Sequence, residues 1–333
     1  MKDLSHGGDL GFLADLHPHA PRPLVDLSTG INPVAYPVQL DQRTLGRLPG
    51  QSDYAACVEA FARYAAVSER YIQVMPGSQS AISILPTLIE PCDVAILEPT
   101  YSEHEINWTR FGHRVTAFKA ENALSCDADI IVLTNPNNPD GHVFDPKTLS
   151  VLQERQAAKS GWLIVDEAFI DASPDASFSG NVEDGGLIVL RSFGKFFGLA
   201  GLRLGFVLAP EIVNARLRER LGPWGVNGLA LHVGAAAYAD DQWINTTRDR
   251  LDADNTKLAN FLSEKNLAIK GGTALFQLVQ TAHAQDLASH LASRGIFVRT
   301  FDYDVTLLRF GLPGQPSEWD RLKRALAEFE EMT

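Results

Sequence analysis

Through the middle of the chain, short apolar runs rich in β-branched residues alternate with stretches of helical period. The runs are YIQVM (71–75), DVAIL (93–97), ADIIVLTN (128–135), WLIVDEA (162–168), LIVLRSF (187–193) and LRLGFVLA (202–209). Each is too short for a buried helix and largely apolar, which is how a strand covered on both faces reads. Such strands, separated by helices, predict an α/β fold with a mainly parallel sheet between helical layers. From about residue 210 to 265 the pattern turns helical and amphipathic. LFQLV, AQDLASHLASRG, IFVRT, TLLRFGL and a terminal helical stretch follow, and they predict a smaller α+β domain. The Pro-rich start, HPHAPRPLVDLSTGINPVAYP, predicts an extended arm that joins the small domain or a neighbouring subunit. We expect a large domain over 46–235, with the arm and small domain built from 1–45 and 236–333.

Composition narrows the function classes. The 333 residues allow a large core. A net charge of -12 argues against nucleic acid or an anionic membrane as partner, while leaving room for a local basic pocket. Cys57, Cys92 and Cys126 are widely spaced and form no disulfide framework, so a reducing, cytoplasmic setting is expected. The first residues lack the apolar run of a secretion signal, and no uncharged, continuously apolar run approaches the ~20 residues a membrane helix needs.

In sheets of this kind ligands gather beyond the carboxyl ends of strands. Ser78, Tyr101, Asn138, Asp166 and Ser192 all fall there, and Lys195 follows Ser192 on one loop. Lys195 and Arg203 lie within RSFGKFFGLAGLRLGF (191–206), an apolar setting where cations need partners. An amine in such a pocket is available for Schiff-base chemistry, although a lysine whose stem packs and whose ammonium reaches water gives the same pattern. Ser192 and Arg203 suit a phosphate. The turn Gly77-Ser78-Gln79 offers main-chain N–H groups to one, although PGSQS is also a common helix start. Asp166 ends an apolar strand and needs a partner, which a protonated ring nitrogen supplies. Asn138 is either a turn residue or a donor to a phenolic oxygen, and Tyr101 either packs in the core or stacks on a ring. Together these residues answer the needs of pyridoxal phosphate: an amine, an anion, a donor, a flat face and a phosphate cup. Other readings lack parts. SFGK has no K-T-G after it, and Lys195 lacks the rest of a phosphate-binding P-loop. His17 and His19 have no further ligands beside them, so no metal is expected.

The combination NPNNPDG, DEAF and SFGKFFGLAGLRLG, in this order and spacing, resembles the fold-type I pyridoxal-phosphate aminotransferase superfamily over nearly the whole chain. HGGDL (6–10), DLSTGINP (26–33), DEAFID and PWGVNGLA (223–230) are similar to the threonine-phosphate decarboxylases of cobalamin biosynthesis, near relatives of the histidinol-phosphate aminotransferases. The resemblance implies decarboxylation of L-threonine O-3-phosphate to (R)-1-amino-2-propanol O-2-phosphate by a homodimer. It implies Lys195 as the lysine that holds the cofactor aldehyde, Asp166 on the ring nitrogen, Asn138 on the phenolic oxygen and Tyr101 on the ring face. Ser78, Gln79, Ser192 and Arg203 match the phosphate cup. Arg309 and Arg299 match substrate-binding arginines, although strand-end arginines in isolation read as structural ion pairs. His6, Gly30 and Asn32 fall on the segment that closes over substrate in these relatives.

Some positions depart from the wider superfamily. Phe169 stands where many members carry a tyrosine that touches the phenolic oxygen, and Asp140 replaces a threonine. Leu48 stands where relatives often place a tyrosine that reaches the neighbouring subunit's phosphate, with Tyr54 as a substitute candidate. A phosphate-ester aminotransferase, acting for example on histidinol phosphate, uses the same site residues, so the motifs alone leave both reactions open. A regulator built on this fold needs a DNA-binding domain, for which the chain has neither the length nor the charge.

Overall fold

A computed structural model of the chain describes residues 7–39 and 41–332, with Phe12 described by its backbone only. It contains two compact units, one built on Ala35–Thr247 and the other on the chain up to Val34 together with Arg248 onward. The strands, in chain order, are β1 (Val25–Leu27), β2 (Ile72–Met75), β3 (Asp93–Leu97), β4 (Arg114–Phe118), β5 (Ile130–Thr134) and β6 (Trp162–Asp166). They continue with β7 (Leu187–Ser192), β8 (Gly205–Leu208), β9 (Ala268–Thr273), β10 (Phe276–Gln280), β11 (Ile296–Thr300) and β12 (Leu307–Gly311).

In the larger unit, seven strands form one sheet in the order β2-β8-β7-β6-β5-β3-β4. The pairs β3–β4, β3–β5, β5–β6 and β6–β7 are parallel, while β8 is antiparallel to both β7 and β2. Six strands therefore run one way and β8 alone runs back, as the mainly parallel reading expects. Ile131, Val132, Leu133, Leu187, Ile188 and Val189 are wholly buried. Side chains of this size contribute about 1.5–3 kcal/mol each on full burial, which is why these strands read as unbroken apolar runs. The edge strand β4 is different: Arg114, Thr116 and Ala117 are exposed, and the apolar signal fails there.

Local chemistry sets the ends of the elements. The stretch starting at Ser78 is helical only to Ile84, and Pro86 lies in the 3-10 turn that follows. The asparagine of PWGVNGLA caps the helix Gly228–Tyr238: Asn227 Oδ1 accepts from Ala230 N at 2.8 Å. Ahead of that cap, the Tyr54 hydroxyl is held by the N–H and C=O of Val226 at 3.1 and 3.3 Å.

The smaller unit holds a five-stranded mixed sheet in the order β1-β11-β12-β10-β9. The Pro-rich arm supplies β1, which runs parallel to β11 and so joins this unit's own sheet. The glycines of HGGDL have a local cause here. A Cβ on Gly7 would lie 2.7 Å from the Ser28 carbonyl oxygen, and Gly8, at φ +96°, donates its N–H to Ser28 Oγ at 3.0 Å.

Candidate active site

The single reversed strand explains how the candidate residues of the larger unit come together. The carboxyl ends of β2, β3, β5, β6 and β7 share one edge of the sheet, and the amino end of β8 falls on the same edge. Ser78, Tyr101, Asn138, Asp166 and Lys195 follow or end the forward strands, while Arg203 precedes the reversed one. Gly205 is the joint. It pairs with Ser192 on one side and with Met75 on the other, and a Cβ there would lie 2.5 Å from Ser78 N and 2.8 Å from Arg191 O. The Ser78 turn therefore packs directly on the end of β7. Gly77 adopts φ +82°, and a Cβ on it would meet Arg203 Nη2 at 2.6 Å. Arg203 itself takes a left-handed backbone, φ 58°, and anchors Nη1 on the Ala200 carbonyl at 2.9 Å. Ser78, Ser192 and the Arg203 guanidinium thus surround a glycine cradle that any side chain would fill.

At the other end lies Asp166, 3% exposed. Its Oδ1 accepts from Ala168 N at 3.1 Å, and its Oδ2 lies 3.0 Å from Nε2 of His104, which is itself 1% exposed. Sequence reasoning missed His104. The available signal was its spacing: in SEHE it falls three residues after Tyr101, one helical turn along. The Tyr101 and His104 rings meet edge to face with centroids 6.3 Å apart. Lys195 Nζ lies 5.6 Å from the centre of the buried Phe169 ring, an apolar face.

Gln79 follows Ser78 in the candidate phosphate turn. Its side-chain amide is held by the Tyr101 hydroxyl at 2.9 Å and by Glu103 Oε2 at 3.0 Å. Asp140 serves the turn, accepting from Asn137 Nδ2 at 2.8 Å and His142 N at 3.0 Å.

Behind Asp166 and Lys195 runs a buried ionic cluster. Arg191 pairs with Asp171 and, at 3.4 Å, with Glu167, while Tyr64 donates to Asp171 at 3.1 Å. Burial pushes the Glu167 carboxyl up, opposed by Arg191 and by the Phe178 N–H and the Ser177 and Ser179 hydroxyls. Burial pulls Arg191 down, but Asp171 and Glu167 outweigh it and hold the guanidinium above its ordinary value. These ions brace the two strand ends that carry Asp166 and Lys195.

The smaller unit holds Gly30, Asn32, Arg299 and Arg309, while His6 lies outside the described residues. Arg299 and Arg309 are direct cross-strand neighbours on β11 and β12. Arg309, 7% exposed, lies over the Phe276 ring at 4.8 Å and donates from Nη2 to the Ser28 carbonyl at 2.8 Å. Burial, and then the charge of Arg299, pull its pKa down to about 10. Like charges placed opposite each other disfavour the sheet, and an anion between them reverses the sign. Gly30 and Asn32 are both buried. Asn32 Oδ1 accepts from Arg250 Nη2 at 2.7 Å and from Val34 N at 3.0 Å, which fixes which end of its amide accepts.

The donor set of the larger unit fits pyridoxal phosphate: a lysine amine, a buried carboxylate at a strand end, Asn138, an aromatic face and a glycine cradle under an arginine. No cluster of metal-ligating side chains occurs among the described residues. A fold of this layout with a lysine so placed is that of an aminotransferase-like enzyme. The chain belongs to the aminotransferase class I and II family, whose model matches residues 24–326. It is 40% identical over 331 residues to the threonine-phosphate decarboxylase of Pseudomonas aeruginosa, covering 98% of each chain. It is also 40% identical over 335 residues to the threonine-phosphate decarboxylase of a Sinorhizobium species, again over 98% of each. Among solved structures, the histidinol-phosphate aminotransferase from Clostridium acetobutylicum superposes with a TM-score of 0.85 at 23% identity, covering 93% of this chain and 100% of that one, and shares its fold.

Proposed function

We propose that the chain is a pyridoxal-phosphate-dependent threonine-phosphate decarboxylase. It converts L-threonine O-3-phosphate to (R)-1-amino-2-propanol O-2-phosphate and carbon dioxide, a step of cobalamin biosynthesis. The observation that carries this reading is the identity with enzymes of that name along almost the entire chain.

Pyridoxal phosphate, when bound, supplies an aldehyde that captures the substrate amine and a ring that accepts the electrons of the broken bond. Lys195 would hold the cofactor aldehyde through Nζ and release it to the substrate amine. Asp166 keeps a proton on the ring nitrogen, and His104 holds the carboxylate in place for it. Asn138 donates to the phenolic oxygen, and Tyr101 covers the ring. Ser78, Ser192, Arg203 and the main-chain N–H of Gln79 hold the phosphate. Arg299 and Arg309 would hold the two anionic groups of the substrate, and this grip would fix the orientation of its carboxylate. Gly30 and Asn32 would lie beside the substrate.

The competing reaction is amino-group transfer on a phosphate ester with the same residues. The test is to supply purified protein with pyridoxal phosphate and L-threonine O-3-phosphate, without any keto acid. Steady release of carbon dioxide is expected; turnover only after a keto acid is added would replace this reading with the aminotransferase one.

We further infer a cytoplasmic homodimer. No helix among the described residues is long and apolar enough to cross a membrane. Leu45, Leu48 and Trp224 are 64%, 62% and 56% exposed. They belong to neighbouring segments of the larger unit, where a Cβ on Gly228 would lie 3.0 Å from the Thr44 carbonyl oxygen. A patch of large apolar side chains suits a second copy. The Tyr54 hydroxyl, engaged by Val226, is committed within its own chain. Light scattering should report a dimer, and Leu48→Glu should shift it towards monomer.

A further inference from the structure

Glu103 opens the helix Glu103–Arg110, two residues after Tyr101. Its Oε2 accepts from Gln79 Nε2 and from Asn107 Nδ2, each at 3.0 Å, and its main-chain carbonyl takes the same Asn107 amide at 2.7 Å. On the far side of Gln79, the Tyr101 hydroxyl lies 2.9 Å from Oε1. An ionised carboxylate only accepts hydrogen bonds, so Gln79 must turn its NH2 group towards Glu103. That leaves the amide oxygen for Tyr101, and the phenol must donate its one proton there. The direction of the whole chain is set by the acceptor at its end.

We propose that Glu103 is a positioning residue for the cofactor. Through Gln79 it fixes the hydroxyl and the ring plane of Tyr101, and it reserves the only proton of that hydroxyl. The inference rests on the reading above, in which the Tyr101 ring covers pyridoxal phosphate. Two consequences follow. Tyr101 can accept a hydrogen bond at the site but has no proton left to donate, so it is a platform and not an acid. With Phe169 in place of a phenol, donation to the phenolic oxygen then falls to Asn138. Gln79 also joins the two grips on the cofactor, since its main chain belongs to the phosphate turn and its side chain orients the stacking ring.

The experiment compares Glu103→Ala, Glu103→Gln, Tyr101→Phe, the double variant Glu103→Ala/Tyr101→Phe, and Tyr101→Ala. Three quantities are read: the visible circular dichroism of the bound cofactor, its dissociation constant, and the melting temperature of the cofactor-free protein. Glu103→Ala and Tyr101→Phe should each weaken cofactor binding about tenfold and reduce the dichroism. The double variant should be no worse than either single, because both act through one chain. Glu103→Gln should recover most of the signal, since its amide oxygen also accepts from Gln79. Additive losses in the double variant would overturn the inference, as would a lowered melting temperature with unchanged dichroism and affinity in Glu103→Ala. If Tyr101→Ala leaves both cofactor readouts unchanged, the ring does not cover the cofactor, and the fault lies with the underlying reading.

Discussion

Asp166 in the larger unit and Arg309 in the smaller are both buried charges, yet their surroundings are opposite. Asp166 has His104 at 3.0 Å on one oxygen and the Ala168 N–H on the other. Arg309 faces Arg299 across β11 and β12 and has its pKa pulled down to about 10. The first group is held in place by its own chain, as the proposed contact with a ring nitrogen would require. The second has a like charge opposite it, which under the proposed function a substrate anion would offset. A cofactor that stays needs a site shaped in advance, whereas a substrate that leaves can supply the missing charge each time it binds.

The contrast is broken most severely at Asp166. Asp166→Ala should lower kcat by roughly 10^3-fold and also destabilise the fold, because it strands His104 in the core. Steady-state kinetics and thermal melts check both. Arg309→Met should behave differently: kcat/KM falls about 100-fold, while the melting temperature holds or rises, since an apolar side chain of similar length removes the repulsion. A clear loss of stability in Arg309→Met would mean that the arginine is a structural group. His104→Ala should be milder, lowering kcat about tenfold with the cofactor retained, because Asp166 keeps the Ala168 N–H.

The smallest effect is one of pH. The folded chain holds Arg309 near a pKa of about 10, well below the value of an ordinary arginine. Between those values the unfolded chain binds more protons, so the penalty of burying this charge is present below about pH 10 and is relieved as the pH rises above it. Inorganic phosphate should therefore raise the melting temperature near pH ~8, and this gain should fade above about pH 10 and be much reduced in Arg309→Met. An equal gain in the variant would place the anion elsewhere.

Much of this was legible in the sequence, for physical reasons that also mark where it stopped. β5 and β7 are covered on both faces, so burial wrote itself into unbroken apolar runs. β4 lies on the sheet edge with exposed Arg114 and Thr116, and no such signal marked it. Strand direction leaves no trace in composition, so the reversal of β8, which brings Arg203 to the cofactor edge, could not be read. Lys195, Asp166 and Asn138 stood out because each belongs to a motif. His104 and Glu103 did not, because their parts depend on partners far away in the chain: Asp166 is 62 residues from His104, and Gln79 is 24 from Glu103. Gln79 was expected for its place in the candidate phosphate turn, while its side-chain amide lies between Tyr101 and Glu103.

The most direct test of the reaction follows the carboxyl carbon. L-Threonine O-3-phosphate labelled with carbon-13 at the carboxylate, incubated with the holoenzyme and no keto acid, should release the label as bicarbonate and leave an unlabelled amine phosphate. Label retained in a keto acid, formed only when an amino acceptor is present, would contradict the account.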